Sequence, residues 1–330
     1  MRIDAHTHFL PAPYRELLHR EGQSVRIEAG KTRPQVVHTH GSFPLFAGFY
    51  DLDSRREWMQ QWGIDHTIAS VSTPNPNEGP QAVETTVKWA RAINDGFADV
   101  QADHPDRISC LGSLPFRDPE AATAEVDRIV DLGLRGVAIP TSVRGRSLAD
   151  GRYEAIFDAI DGHGLTAFVH PQPNALSETF TGAEGVLNPV VIFPTETTVQ
   201  VARLIFDGFF DRWSFDVVLA HMGGALPYLL GRLERGRRVF RSESDVGPRE
   251  GISTYLERVY YDTISFHPPA IELAIETVGI DRLVFGSDHP FGMEDIESSL
   301  ADIDSLDLTD DELDAVMHRT AATVYDLDLP

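Results

Sequence analysis

The chain has 330 residues, 42% of them hydrophobic, and a formal net charge of −23. One α/β barrel fills such a length, and the apolar fraction supplies a large core. The acidic excess excludes nucleic acid and anionic membrane surfaces as partners. No apolar run is long enough to span a bilayer, and no secretory leader is expected at the N-terminus. A lone cysteine, Cys110, fits a reducing, cytoplasmic compartment. Lys31 and Lys88 are the two lysines, so 26 of the 28 basic residues are arginine. Acidic residues spread over every segment, which reads as a whole surface adapted to high salt.

Strand-like apolar runs alternate with helical patterns. The predicted strands, in chain order, are "RIDA" (2–5), "HTIASVS" (66–72), "RISCLGSL" (107–114), "GVAIP" (136–140), "LTAFV" (165–169), "DVVLA" (216–220), "RVYYDT" (258–263) and "RLVFGS" (282–287). A helix is predicted from Asp118, as N-cap with Pro119 in the first turn, to Gly133. Another starts at Thr309, with Glu312 in capping-box spacing. Eight strands alternating with helices predict a closed (β/α)8 TIM barrel over residues 1–330. An open doubly wound sheet is disfavoured, because no glycine-rich phosphate turn follows the first strand. Residues 11–50 interrupt the alternation. Two β-like pieces, "SVRIEA" and "QVVHTH", flank the turn "GKTRP", which predicts a small hairpin inserted after the first strand.

The active face of such a barrel lies at the C-terminal strand ends. The first strand ends at His6 and His8, the fifth at His170, the sixth at His221 and the eighth at Asp288, with His289 beside it. Alternate strand residues share a face, so His6 and His8 can reach one centre while Thr7 turns away. Three imidazoles and a carboxylate suit one Zn2+, or Mn2+, with an open position for water. A second His-Thr-His at residues 38–40 lies in the insertion, without an evident third ligand. It reads as a solvated hairpin face, or as a lid bringing His38 or His40 to the substrate. The fourth strand ends "VAIPTS", with no lysine to bridge a second metal.

"IDAHTHFLP", "FVHPQP", "IFPTETT", "LAHMGGALPYLLGR" and "FGSDHPF", in this order, resemble the amidohydrolase superfamily. They look closest to its decarboxylase branch, which includes aminocarboxymuconate semialdehyde and γ-resorcylate decarboxylases. The resemblance implies that His6, His8, His170 and Asp288 bind one divalent metal, with His221 the acid/base residue. It implies that Arg232 binds a substrate carboxylate, in some members across a homodimer interface, and that Phe291 lines the pocket. Two positions depart from the semialdehyde decarboxylases: His38 replaces a carboxylate-binding arginine, and Leu187 stands where a tryptophan is expected. The γ-resorcylate type carries Glu where His6 stands. The implied activity is non-oxidative decarboxylation of a small aromatic or unsaturated carboxylic acid. The alternative is a mononuclear metal hydrolase or hydratase acting on a lactone, amide or unsaturated acid.

Overall fold

The computed structural model describes residues 1–20, 25–38, 41–173, 177, 186–240 and 247–329. Eight strand positions alternate with helices. They are β1 (Ile3–His8), β2 (His66–Ser70), β3 in two segments (Ile108–Cys110 and Gly112–Ser113), β4 (Val137–Pro140), β5 (Ala167–His170), β6 (Val217–Leu219), β7 (Tyr260–Asp262) and β8 (Leu283–Val284). Each of the eight predicted runs overlaps one of them. Neighbouring strands pair in parallel, β1 with β2, β2 with β3, and so on to β7 with β8. The ring closes where the chain after β8 returns to β1. Ala5 donates its N–H to the carbonyl of Phe285 (2.8 Å), Asp288 to that of His6 (2.9 Å), and His8 to that of His289 (2.7 Å).

Two apolar clusters fill this frame. Ile3, Ile68, Leu111, Phe168, Val218 and Val284 come from six different strand positions and meet one another with Tyr325. Residues from so many strands converge only inside a barrel. On β5, Phe168 belongs to this inner cluster, whereas Ala167 and Val169 belong to the larger cluster outside it. His170, two residues past Phe168, therefore faces inward at the strand's C-terminal end. On β1 the register shifts between Asp4 and Thr7.

Local signals set the helix ends. Asp118 accepts from the Ala121 N–H, the helix Pro119–Asp131 follows, and Gly133 takes φ 70° just beyond it. Thr309 and Glu312 form the predicted capping box.

The insertion is larger than the predicted hairpin. It opens with a helix, Ala12–Arg20, and continues as a three-stranded antiparallel sheet of Arg26–Glu28, Gln35–His38 and Gly41–Pro44. Tyr14 and Leu18 are buried, with Leu17 packed against the core, at helical spacing behind Pro11 and Pro13. That short pattern is masked by its prolines. The strand "GSFP" has no apolar alternation to betray it. His40 lies outside the described residues.

Candidate active site

Four side chains from three strand ends converge at the C-terminal face. One ligand atom each from His6, His8, His170 and Asp288 lies within 4.8 Å of all the others. His6 Nε2 is 3.0 Å from His8 Nε2, and His8 Nε2 is 2.9 Å from Asp288 Oδ1. His6 Nε2 is 3.4 Å from the same carboxylate oxygen.

Outer partners fix which nitrogens face inward. The Nδ1–H of His6 donates to Asp262 Oδ2 (2.6 Å), and that of His170 donates to the Pro171 carbonyl (2.7 Å). Both rings therefore aim a bare Nε2 lone pair at the centre, and His170 Nε2 is buried without a hydrogen-bond partner. Burial holds both imidazoles well below their ordinary pKa, so they are neutral. Burial also pushes the Asp288 carboxyl upward. A hydrogen bond from His8 and the nearby His6 and His221 outweigh it, leaving Asp288 below the usual carboxylate range. Converging lone pairs beside a carboxylate repel one another until a cation sits between them. Nitrogen and oxygen donors at these spacings fit one divalent ion.

Asp262, at the end of β7, organises the site from behind. Besides His6 it accepts the backbone N–H groups of His221 (2.8 Å), Met222 (2.8 Å) and Ile264 (3.0 Å). Burial raises its carboxyl to about 6, so it remains mostly ionised at neutral pH. Sequence reasoning missed Asp262. Its available signal was a carboxylate at a strand's C-terminal end, in "YYDT". Arg55 was also missed. Its guanidinium is fully buried and donates to Thr7 Oγ1 and the His8 carbonyl, bracing β1 from outside.

His221 stands at the edge of the cluster. Its Nε2 is 4.0 Å from Asp288 Oδ2, and its Nδ1 is buried without a partner. Three non-glycine residues here occupy the left-handed region: His221 (φ 54°), Met222 (φ 57°) and Asp288 (φ 65°). That conformation costs about 1–3 kcal/mol at each position and gathers where side chains are aimed for function. His289 turns away, stacking on Trp58 at 3.9 Å and bonding Glu294 through Nδ1 (2.7 Å).

Above the cluster lies a cavity of about 640 Å³. Phe291 lines it, with its ring 5.2 Å from that of His8. The insertion supplies one wall, including His38 and Phe43. His38 thus borders the site instead of lying on a solvated face; its Nδ1 is 3.2 Å from Glu78 Oε1, outside hydrogen-bonding geometry. Leu187 does not line the cavity, although Val186 and Asn188 do. Arg232 does not reach it either. It is exposed on the helix Leu226–Val239, whose core-facing side is set by Leu226, Leu230 and Leu233.

Residues 3–327 match the amidohydrolase family model, and the chain belongs to that family. Among its relatives, a 2-amino-3-carboxymuconate-6-semialdehyde decarboxylase of Dictyostelium discoideum is 27% identical over 310 residues, covering 90% of this chain and 83% of the relative. A gamma-resorcylate decarboxylase of Rhizobium sp. (strain MTP-10005) is 30% identical over 256 residues, covering 72% and 76%. The apo structure of Metarhizium anisopliae IDCase superposes with TM-score 0.86 at 28% identity, over 99% of this chain and 97% of that one. A 5-carboxyvanillate decarboxylase from Novosphingobium aromaticivorans, solved with bound manganese, shares the fold with TM-score 0.81 at 24% identity, over 99% and 97%.

Proposed function

We propose that this protein is a metal-dependent, non-oxidative decarboxylase of a hydroxybenzoate- or muconate-like carboxylic acid. The observation that carries the reading is the His-and-Asp cluster at the floor of a mostly apolar cavity, in a chain related to decarboxylases. His6, His8, His170 and Asp288 would hold one divalent ion. Three nitrogen donors to one oxygen favour Zn2+ over Mn2+. When bound, the ion supplies positive charge that orients the substrate carboxylate and its neighbouring hydroxyl or carbonyl and draws electron density from the ring.

The chain's own residues do the rest. Phe291 packs the ring, and His38 faces the substrate from the insertion wall. As the bond to the carboxylate breaks, CO2 leaves and its electron pair remains on carbon, which must take a proton. His221 and Asp288, 4.0 Å apart, are the groups in place to hold and deliver it. Arg232, exposed on its own chain, would meet substrate only from a second copy, in a homodimer. The acidic, lysine-poor composition supports a protein working at high salt, and the lone cysteine supports a reducing cytoplasm.

The test is metal content per chain, by elemental analysis, together with CO2 release from hydroxybenzoates and muconate-like acids. One zinc per chain and CO2 release are expected. His221→Ala should keep the metal and lose most turnover; full turnover would remove its role. A product that retains every carbon would turn the reading to a hydratase. Melting temperature should rise from dilute buffer to molar KCl, and equal values would refute the salt adaptation.

A further inference from the structure

The cavity is larger and more apolar than a bare hydroxybenzoate needs. A dihydroxybenzoate has about eleven non-hydrogen atoms; at no more than a liquid water's ~30 Å³ each, it fills at most about half of such a space. A cavity of about 640 Å³ is of the size that buries a considerably larger ligand.

Charge narrows the choice further. The described lining contains no lysine and no arginine. A second ligand carboxylate would lose its water there with no lysine or arginine among the described residues to meet it, in a protein already at −23. A partner's Arg232 would join the metal at the carboxylate that is lost, which leaves no cation among the described residues for a second one.

The walls show where the remaining bulk goes. Phe291 and Phe43 pack ring to ring at 5.2 Å beside the cluster. Toward the opening the lining passes to Val190, Phe266 and Met293, which are 49%, 38% and 41% exposed. An apolar rim continuous with an apolar cavity is a surface that binding covers.

Building on the decarboxylase reading, we propose that the substrate is a monocarboxylic hydroxyaromatic acid carrying an extended, uncharged apolar substituent. The carboxyl end sits at the His-and-Asp cluster. The substituent runs past Phe291 to the rim of Val190, Phe266 and Met293.

The test is a series of hydroxybenzoates with alkyl chains from methyl to pentyl. Binding is measured by calorimetry on the zinc-loaded protein, and CO2 release on the same samples. A buried methylene contributes about 0.8 kcal/mol, which at 1.4 kcal/mol per tenfold is about fourfold in Kd per carbon. Affinity should climb by that factor along the series. A chain of equal length ending in a carboxylate should fall back to the methyl compound or below. The double variant Phe266→Ser with Met293→Ser should flatten the climb.

Affinity that is level or falling beyond methyl would overturn the proposal. So would a dicarboxylate binding as tightly as its alkyl counterpart, or a climb undiminished in the double variant. Rising affinity without CO2 release would support the substrate class while refuting decarboxylation, so the two readings fail separately.

Discussion

Replacing Asp262 by asparagine probes how the metal site is held without touching any proposed ligand. Oδ2 accepts from His6 Nδ1 (2.6 Å) and the His221 N–H (2.8 Å). Oδ1 accepts from the N–H groups of Met222 (2.8 Å) and Ile264 (3.0 Å). An asparagine keeps one acceptor oxygen and turns the other position into a donor. Whichever way the amide lies, two N–H groups then face an N–H2. Each buried donor left without a partner costs about 1–3 kcal/mol, so Asp262→Asn should lose about 2–6 kcal/mol of folding stability. If the amide nitrogen faces His6, the ring relieves the clash by moving its proton to Nε2, the atom aimed at the centre. Partners behind a metal-binding histidine are typically worth about 10–100-fold in metal affinity, or roughly 1.4–2.8 kcal/mol. Chelator competition on purified Asp262→Asn reads the affinity, and urea unfolding of the metal-free protein reads the stability. Wild-type affinity in the variant would refute the role given to Asp262.

His66, at the start of β2, bonds Ser109 Oγ through Nε2 (2.9 Å), and burial lowers it from 6.5 to about 4. Between those values the unfolded chain binds the proton that the folded chain resists. Stability is therefore full above pH 6.5 and falls toward pH 4, by up to about 3 kcal/mol. Urea midpoints should drop more steeply over that range in the wild type than in His66→Asn, and parallel curves would refute the assignment. Gly224 has φ 65°, and a Cβ there would lie 2.1 Å from the Pro194 carbonyl oxygen. Gly224→Ala should cost about 2–5 kcal/mol through strain and overpacking. Gly231, helical with open space around its Cα, should gain about 0.5–1 kcal/mol on conversion to alanine. Thermal melts of the two variants should therefore move in opposite directions, and a shift of the same sign would refute the contrast.

The barrel strands were legible because each carries a short, largely apolar run set between helical patterns. His6, His8, His170, His221 and Asp288 stood out because strand ends of such a fold share one face. Their periodicity and chain order are local properties, and so are the caps at Asp118 and Thr309. Asp262 escaped notice because its value lies in what surrounds it. A carboxylate becomes a brace for His6 only when β7 lies beside β6 and one strand removed from β1. Arg55 escaped for the same reason, since a charged helix residue reads as solvated until packing buries it.

The sequence by itself determined the alternation of strands and helices, the strand-end histidines and the acidic surface. These depend on residue type and spacing along the chain. Only the tertiary structure decided that His38 borders the cavity, that His289 turns away to Trp58, and that Arg232 lies outside its own chain's site. Each of those outcomes depends on which distant segment packs against the residue. No pattern local to the chain encodes that contact.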